Sequence, residues 1–287
     1  MSGRFVLVTG CSAGIGATMA YGLRDRGYQV LVTARKEADL RRLREEGFFA
    51  VYLDYAEPDS VDAAADAVLA YTQGALYGLV NNGGYGQPGA IEDITPEVMR
   101  HQFEANVIGW HALTRRVIPA MRARDAGRIV NIGSVLAFYS LSFRGPYAAT
   151  KHALEALTWA LRLELEDTAI GVSLIEPGPL NTKMRKYGYA MLEANIDQEG
   201  SPHRVFYAGV KARLFTEEPV YPNTREPEAV LAPLYRALED RRPKPRYFLG
   251  WLDRLAIFTI RLLPDALLER LLRRISKSSK AKIPPPE

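Results

Sequence analysis

A chain of 287 residues, 47% of them hydrophobic and 24% charged, can bury one substantial core and is too apolar to be disordered. Its net charge of +4 hides a split: residues 241–287 hold twelve Lys or Arg against four Asp or Glu, net +8, which leaves −4 for the rest. A mildly acidic body with a basic tail excludes a protein-wide nucleic-acid surface, and one cysteine, Cys11, excludes an internal disulfide or a cysteine metal site.

Met1-Ser-Gly-Arg leads straight into an apolar, β-rich run at 4–9, so no signal or transit peptide is expected and the reading is cytoplasmic. Gly10-Cys11-Ser12-Ala13-Gly14-Ile15-Gly16 follows at once, and 14–26 then read as a helix. Strand, glycine-rich turn and helix make a phosphate site. Glycine lets a ligand approach the backbone, and the helix start offers N–H groups and a positive dipole end. The spacing G-x-x-x-G-x-G differs from the dinucleotide fingerprint G-x-G-x-x-G.

The second strand, 29–33, ends in Thr33-Ala34-Arg35-Lys36. An NAD site places an acid there for the ribose hydroxyl, and this chain has Ala34 in that position, followed by two cations. A guanidinium suits a 2′-phosphate, so Arg35 and Lys36 favour NADP over NAD.

Further strands are predicted near 49–53, 78–81, 127–133, 171–176 and 246–249, with helices at 36–46, 59–73, 96–123, 147–167 and 227–239. This alternation predicts an α/β fold: a Rossmann-like, doubly wound parallel sheet of about seven strands with helices on both faces. The glycine turn, Asn82, Ser134 and Pro177 fall at strand C-termini, where such sheets bind ligands.

Tyr147 and Lys151 are four apart, hence one turn apart on one helix face, with Ser134 thirteen residues upstream. A phenol beside an ammonium is drawn toward phenolate, and a serine nearby can hydrogen-bond a substrate oxygen. Asn106 interrupts an apolar helix, where asparagine is a poor fit. His101, His111, His152 and His203 lack ligand spacing, and no metal is expected.

These residues together resemble the short-chain dehydrogenase/reductase family over about residues 4–182. Thr9-Gly10-x-x-x-Gly14-Ile15-Gly16 is similar to its coenzyme turn, and Asp54 to the acid at the adenine edge. Asn81-Asn82-Gly83-Gly84 resembles its Asn-Asn-Ala-Gly, with Gly83 for alanine. Asn106, Ser134, Tyr147 and Lys151 match its catalytic tetrad in order and spacing, and Pro177-Gly178 with Thr182 its turn beside the nicotinamide. Within the family the chain looks most like the 17β-hydroxysteroid dehydrogenase, retinol dehydrogenase and aldehyde reductase group.

The resemblance implies hydride transfer between NADP and a carbonyl or alcohol. Tyr147 would act as the proton donor and Ser134 as the oxygen ligand. Lys151 would lower the phenol's pKa and bind the nicotinamide ribose, and Asn106 would anchor a water. It also implies a homodimer or homotetramer. Cofactor contacts are expected from Gly10, Ser12, Ala13, Gly14, Ile15, Gly16, Arg35, Lys36, Asp54, Asn82, Gly83, Tyr147, Lys151, Pro177, Gly178 and Thr182. Ser134, Leu136, Tyr147 and Tyr187 are expected to face the substrate.

Residues 1–250 read as one catalytic domain with a substrate lid near 183–222, rich in Met and Tyr, which suits a hydrophobic substrate: an aldehyde, ketosteroid or retinoid. Residues 251–287 read as a basic extension: two short amphipathic helices split at Pro264, then a disordered tail from Ser276. The extension is expected either to pack on the protein or to contact a membrane peripherally. Two other readings stand beside the reductase. One is a non-catalytic NADP-binding regulator or membrane-associated scaffold on this fold. The other is an epimerase or dehydratase of the extended branch, which the short chain and the glycine spacing disfavour.

Overall fold

The computed structural model describes residues 3–214 and 223–281. Alternating short apolar runs and amphipathic segments fold into β1 (Phe5–Val8), α1 (Gly14–Asp25), β2 (Gln29–Ala34), α2 (Glu37–Glu45), β3 (Phe49–Tyr52), α3 (Pro58–Tyr71) and β4 (Leu76–Asn81). Then come α4 (Pro96–Phe103), α5 (Gly109–Ala123), β5 (Gly127–Ile132), α6 (Gly145–Glu164) and β6 (Ile170–Glu176). The remainder is α7 (Met184–Asn195), α8 (Arg204–Leu214), α9 (Leu231–Glu239), β7 (Arg246–Phe248), α10 (Trp251–Leu262) and α11 (Asp265–Ala281).

The strands form one parallel sheet in the order β3-β2-β1-β4-β5-β6-β7. Val6, Leu7, Leu79, Ile129 and Val172 are fully buried, as continuous apolar strands must be when helices cover both faces. Truncating one such leucine to alanine costs about 2–5 kcal/mol. Chain order reverses between β1 and β4, so the two neighbouring strands send their loops apart and open a crevice at their C-terminal ends.

Three regions depart from the sequence reading. The helix predicted over 96–123 is broken by a π-helical segment, Glu104–Ile108, which carries Asn106. The stretch from 183 holds α7 and α8, although it shows no clean periodicity. Their apolar residues are divided between a small core (Phe143, Leu192, Ile196, Tyr207) and solvent (Met184, Tyr187, Val205), so no single stripe marks them. Residues 215–222 of the expected lid lie outside the described residues. Finally, α11 continues through Ala281, where a disordered tail was expected from Ser276. Residues 282–287 lie outside the described residues. Among the described residues no helix is long and apolar enough to cross a membrane.

Candidate active site

The crevice begins with the turn after β1. Gly10 and Gly14 have φ of +69° and +59°, a conformation that favours glycine. A Cβ on Gly16 would stand 2.1 Å from the Gly10 carbonyl oxygen, so α1 can start this close to the turn only without a side chain. Asn82, just past β4, ties the turn down by donating to Thr9 O (2.9 Å) and Gly10 O (3.3 Å). The Thr9 hydroxyl accepts from the backbone N–H of Asn82 (2.9 Å) and Gly83 (3.1 Å). No side chain caps the first turn of α1, which leaves its N–H groups for an anion. Ser12, Ala13 and Ile15 are half-buried along this cradle, and Thr182 packs on Gly14 from the opposite wall, 3.5 Å from the position of a Cβ there. Burial pushes the Cys11 thiol up to about 12, so it is an inert filler of the turn.

The second wall lies at the ends of β2 and β3. Ala34 is buried, whereas Arg35 and Lys36 are exposed. The Arg35 guanidinium meets the Asp54 carboxylate at 3.3 Å, which brings the two groups expected at opposite edges of an adenosine phosphate side by side. A pocket with a cradle for phosphates and an exposed guanidinium beyond it fits a dinucleotide carrying a 2′-phosphate.

The tetrad positions come together from separate elements. Ser134 directly follows β5, Tyr147 and Lys151 project from α6, and Asn106 sits in the π segment, a helix defect often found at functional sites. Asn106 is buried. It donates to Tyr85 O (2.8 Å) and Thr150 Oγ1 (3.3 Å) and accepts from Tyr85 N (3.1 Å), which ties α6 to the β4 loop beside Lys151.

Lys151 Nζ donates to Ile132 O (2.8 Å) and lies 4.6 Å above the Trp110 ring, but 5.6 Å from the centre of the Tyr147 ring. Burial lowers the Lys151 ammonium to about 8, against the opposing pull of the Glu176 carboxylate. Burial also pushes the Tyr147 phenol up to about 12, only partly offset by its hydrogen bond with Ser134. The expected lowering of the phenol by Lys151 therefore does not dominate. Desolvation outweighs an ammonium that points at a carbonyl, and the phenol stays protonated.

On the substrate side, Leu136 is half-buried next to Ser134, and Val135 N–H donates to Pro177 O (3.0 Å), which joins the loops after β5 and β6. Gly178 follows at that junction. Tyr187 is half exposed on α7. Phe206 stacks on Phe143 with ring centres 3.5 Å apart, and Tyr207 is fully buried, so these aromatics pack the lid itself. Phe143 has φ +64°, an unusual conformation for a bulky residue. It lies in the loop between Ser134 and Tyr147.

The sequence reading overlooked Glu176, whose Oε2 accepts the Ser134 N–H at 2.6 Å. A charged residue ending the apolar run Gly171-Val-Ser-Leu-Ile-Glu176, just before Pro177, was the available signal.

Comparison with known proteins agrees with this geometry. The model of the short chain dehydrogenase family matches residues 4–192. An uncharacterized oxidoreductase of Escherichia coli K12, YbbO, is 40% identical over 268 residues, 93% of each chain. The rat (Rattus norvegicus) 17-beta-hydroxysteroid dehydrogenase type 6 is 31% identical over 94% of this chain and 87% of its own. Among solved structures, the L-sorbose reductase of Gluconobacter frateurii, complexed with NADPH and L-sorbose, superposes with a TM-score of 0.69 at 28% identity, covering 86% of this chain and 95% of that one. A parallel seven-stranded sheet in this order, a glycine cradle at its switch point and a family match spanning both place the chain in the short-chain dehydrogenase/reductase family of oxidoreductases, which bind a nicotinamide cofactor.

Proposed function

We propose that this protein is an NADP-dependent oxidoreductase that transfers a hydride between the nicotinamide and a hydrophobic carbonyl or alcohol of the aldehyde, ketosteroid or retinoid class. The observation that carries the reading is the Tyr147 phenol: half-buried, held protonated, within hydrogen-bonding reach of Ser134 and one helical turn from Lys151. NADPH supplies the hydride. Tyr147 gives its proton to the oxygen that becomes the alcohol, and Ser134 hydrogen-bonds that oxygen and orients the carbonyl. Lys151 holds the nicotinamide ribose and keeps positive charge near the developing alkoxide. Asn106 fixes α6 so that these groups keep their spacing. A phenol raised to about 12 is protonated throughout the neutral range, the state needed to give a proton to a carbonyl oxygen.

NADP rather than NAD rests on Arg35 and Lys36 beside buried Ala34, with Asp54 at the adenine edge. The L-sorbose reductase, solved with NADPH, supports the same choice. Gly10, Ser12 to Gly16, Asn82, Gly83, Pro177, Gly178 and Thr182 line the rest of the cofactor cleft. Leu136 and the half-exposed Tyr187 give the substrate side its apolar character. Self-association would cover Leu157 and Leu163, exposed on α6.

The extension adds a surface. Trp251, Leu255, Phe258 and Leu262, at i, i+4, i+7 and i+11 of α10, form a stripe pointing away from the body, each between 52% and 73% exposed. The chain from residue 241 onward carries a net charge of +8, which complements anionic lipid, and we assign the extension peripheral contact with the cytoplasmic face of a membrane.

A screen of NADPH oxidation over aldehydes, ketosteroids, retinal and quinones tests the activity, with turnover of an apolar carbonyl expected. NADPH binding without turnover of any of them would favour the non-catalytic regulator or scaffold instead.

A further inference from the structure

Glu176 is fully buried at the end of β6 and is used by none of the steps above. Its Oε2 accepts the Ser134 N–H, and a Cβ on Gly133 would stand 2.1 Å from that oxygen, so the carboxylate can lie over the end of β5 only because residue 133 is glycine. Burial pushes the Glu176 carboxyl up to about 8, while the Ser134 N–H, the Lys151 ammonium and the Arg261 guanidinium draw it back toward the carboxylate; Glu176 in turn favours the charged form of Lys151. The second oxygen, Oε1, has no hydrogen-bond partner and lies 3.9 Å from Nε of Arg246 in β7.

The charges continue outward from there. Arg246 pairs with Glu155 of α6, and Glu155 Oε1 lies 3.7 Å from Arg261 of α10. Both guanidiniums lie over the Phe138 ring, at 4.9 Å and 4.8 Å, and Phe138 caps the 3-10 turn Val135–Ala137 that begins at Ser134. At its other end α10 is pinned by Arg225 to Asp253 (2.9 Å), with Asp253 beside the backbone of Gly178. The extension therefore reaches the active-site loops at two points.

We propose that Glu176 is a positioning residue that holds Ser134 in place and brings a carboxylate charge to bear on Lys151, and that α10 favours that charge through the chain Arg261–Glu155–Arg246. On this view the C-terminal helix is a working part of the site rather than an appendage. The proposal rests on the roles given above to Ser134 and Lys151. The charged and titratable groups facing Glu176 are Tyr147, Lys151 and Glu155 from α6, Arg246 from β7 and Arg261 from α10.

The test is Glu176→Gln in the full-length protein, which keeps an acceptor for the Ser134 N–H and removes the charge. Two quantities are measured against pH: kcat/KM for an apolar carbonyl, and the Kd of NADPH by its fluorescence. Without the carboxylate, burial alone acts on Lys151. The alkaline limb, where the ammonium is lost, should then move to lower pH by about one unit in both profiles. A merely structural role would lower kcat/KM at every pH and leave the limb in place. Arg261→Gln, at a half-exposed position, should move the limb the same way by less, and its effect should vanish in the Glu176→Gln background.

A limb within about 0.2 unit of wild type in Glu176→Gln overturns the proposal, as does an Arg261→Gln shift of equal size in both backgrounds. If Glu176→Gln does not fold, an unmoved limb in Arg261→Gln overturns it. The NADPH profile needs no turnover. A shift there with no carbonyl reduced would sink the proposed activity and keep the network, whereas turnover with an unmoved limb would do the reverse.

Discussion

Replacing Tyr147 by phenylalanine isolates the proton from everything else the residue does. The ring stays, and with it the packing beside Gly86, whose Cβ position lies 3.4 Å from the Tyr147 ring. Lys151 is anchored on Ile132 O rather than on the phenol, so its position does not depend on the hydroxyl. Ser134 Oγ still accepts from Leu136 N (3.2 Å). The stability cost is therefore that of one ordinary hydrogen bond, about 1 kcal/mol, and NADPH should bind almost as before. Turnover is a different matter. General acid catalysis contributes a factor of about 100 to 10,000, which is roughly 2.7–5.5 kcal/mol of barrier. Glu176 lies beneath Ser134 and Lys151 faces a backbone carbonyl, so neither stands in for the phenol as donor to the substrate oxygen. The assay is steady-state NADPH oxidation with the best carbonyl from the screen, with a fluorescence titration of NADPH binding alongside. Turnover within a few-fold of wild type would refute the assignment. Lost NADPH binding would show that the hydroxyl serves the cofactor and not the proton.

Changing Ala34→Asp together with Arg35→Leu should weaken NADPH binding about 10- to 100-fold, the worth of a charge-assisted hydrogen bond or two, and improve NADH binding. A wild-type preference for NADH in kcat/KM would end this reading of β2. Gly16→Ala forces a methyl to within 2.1 Å of Gly10 O and 2.6 Å of Asn82 Nδ2; the overpacking costs about 1–3 kcal/mol. NADPH Kd should rise at least roughly tenfold with the circular dichroism spectrum kept, and an unchanged Kd would show that the cradle is not the cofactor's. For the extension, Trp251→Ser with Phe258→Ser should reduce flotation of the protein with anionic liposomes, and flotation of the wild type should fade with salt. Equal flotation of both, or of neither, rejects the membrane contact and leaves the stripe to a second copy of the chain.

What was legible in the sequence is what depends on neighbours along the chain. Glycines 10, 14 and 16 mark a turn because positive φ and close backbone approach are local demands. Tyr147 and Lys151 share a face because the helix repeats every 3.6 residues. The seven strands were readable because a parallel sheet covered on both faces needs continuous apolar runs. Tertiary structure decided the rest. It turned Lys151 toward Ile132 O and Trp110, set Arg35 on Asp54, put Asn106 in a π segment, and buried Tyr207 while leaving Tyr187 in solvent. It also chose the direction of the Tyr147 shift, because desolvation depends on what surrounds a group and not on what precedes it. The extension shows the same division. Periodicity places Trp251, Leu255, Phe258 and Leu262 on one face, but only the packing of Ile257 inward and of Arg261 onto Glu155 settles that this face looks outward and that the opposite side of α10 meets the active-site loops. A sequence fixes which residues share a face. What that face meets is set by long-range contacts, which bring together groups far apart along the chain.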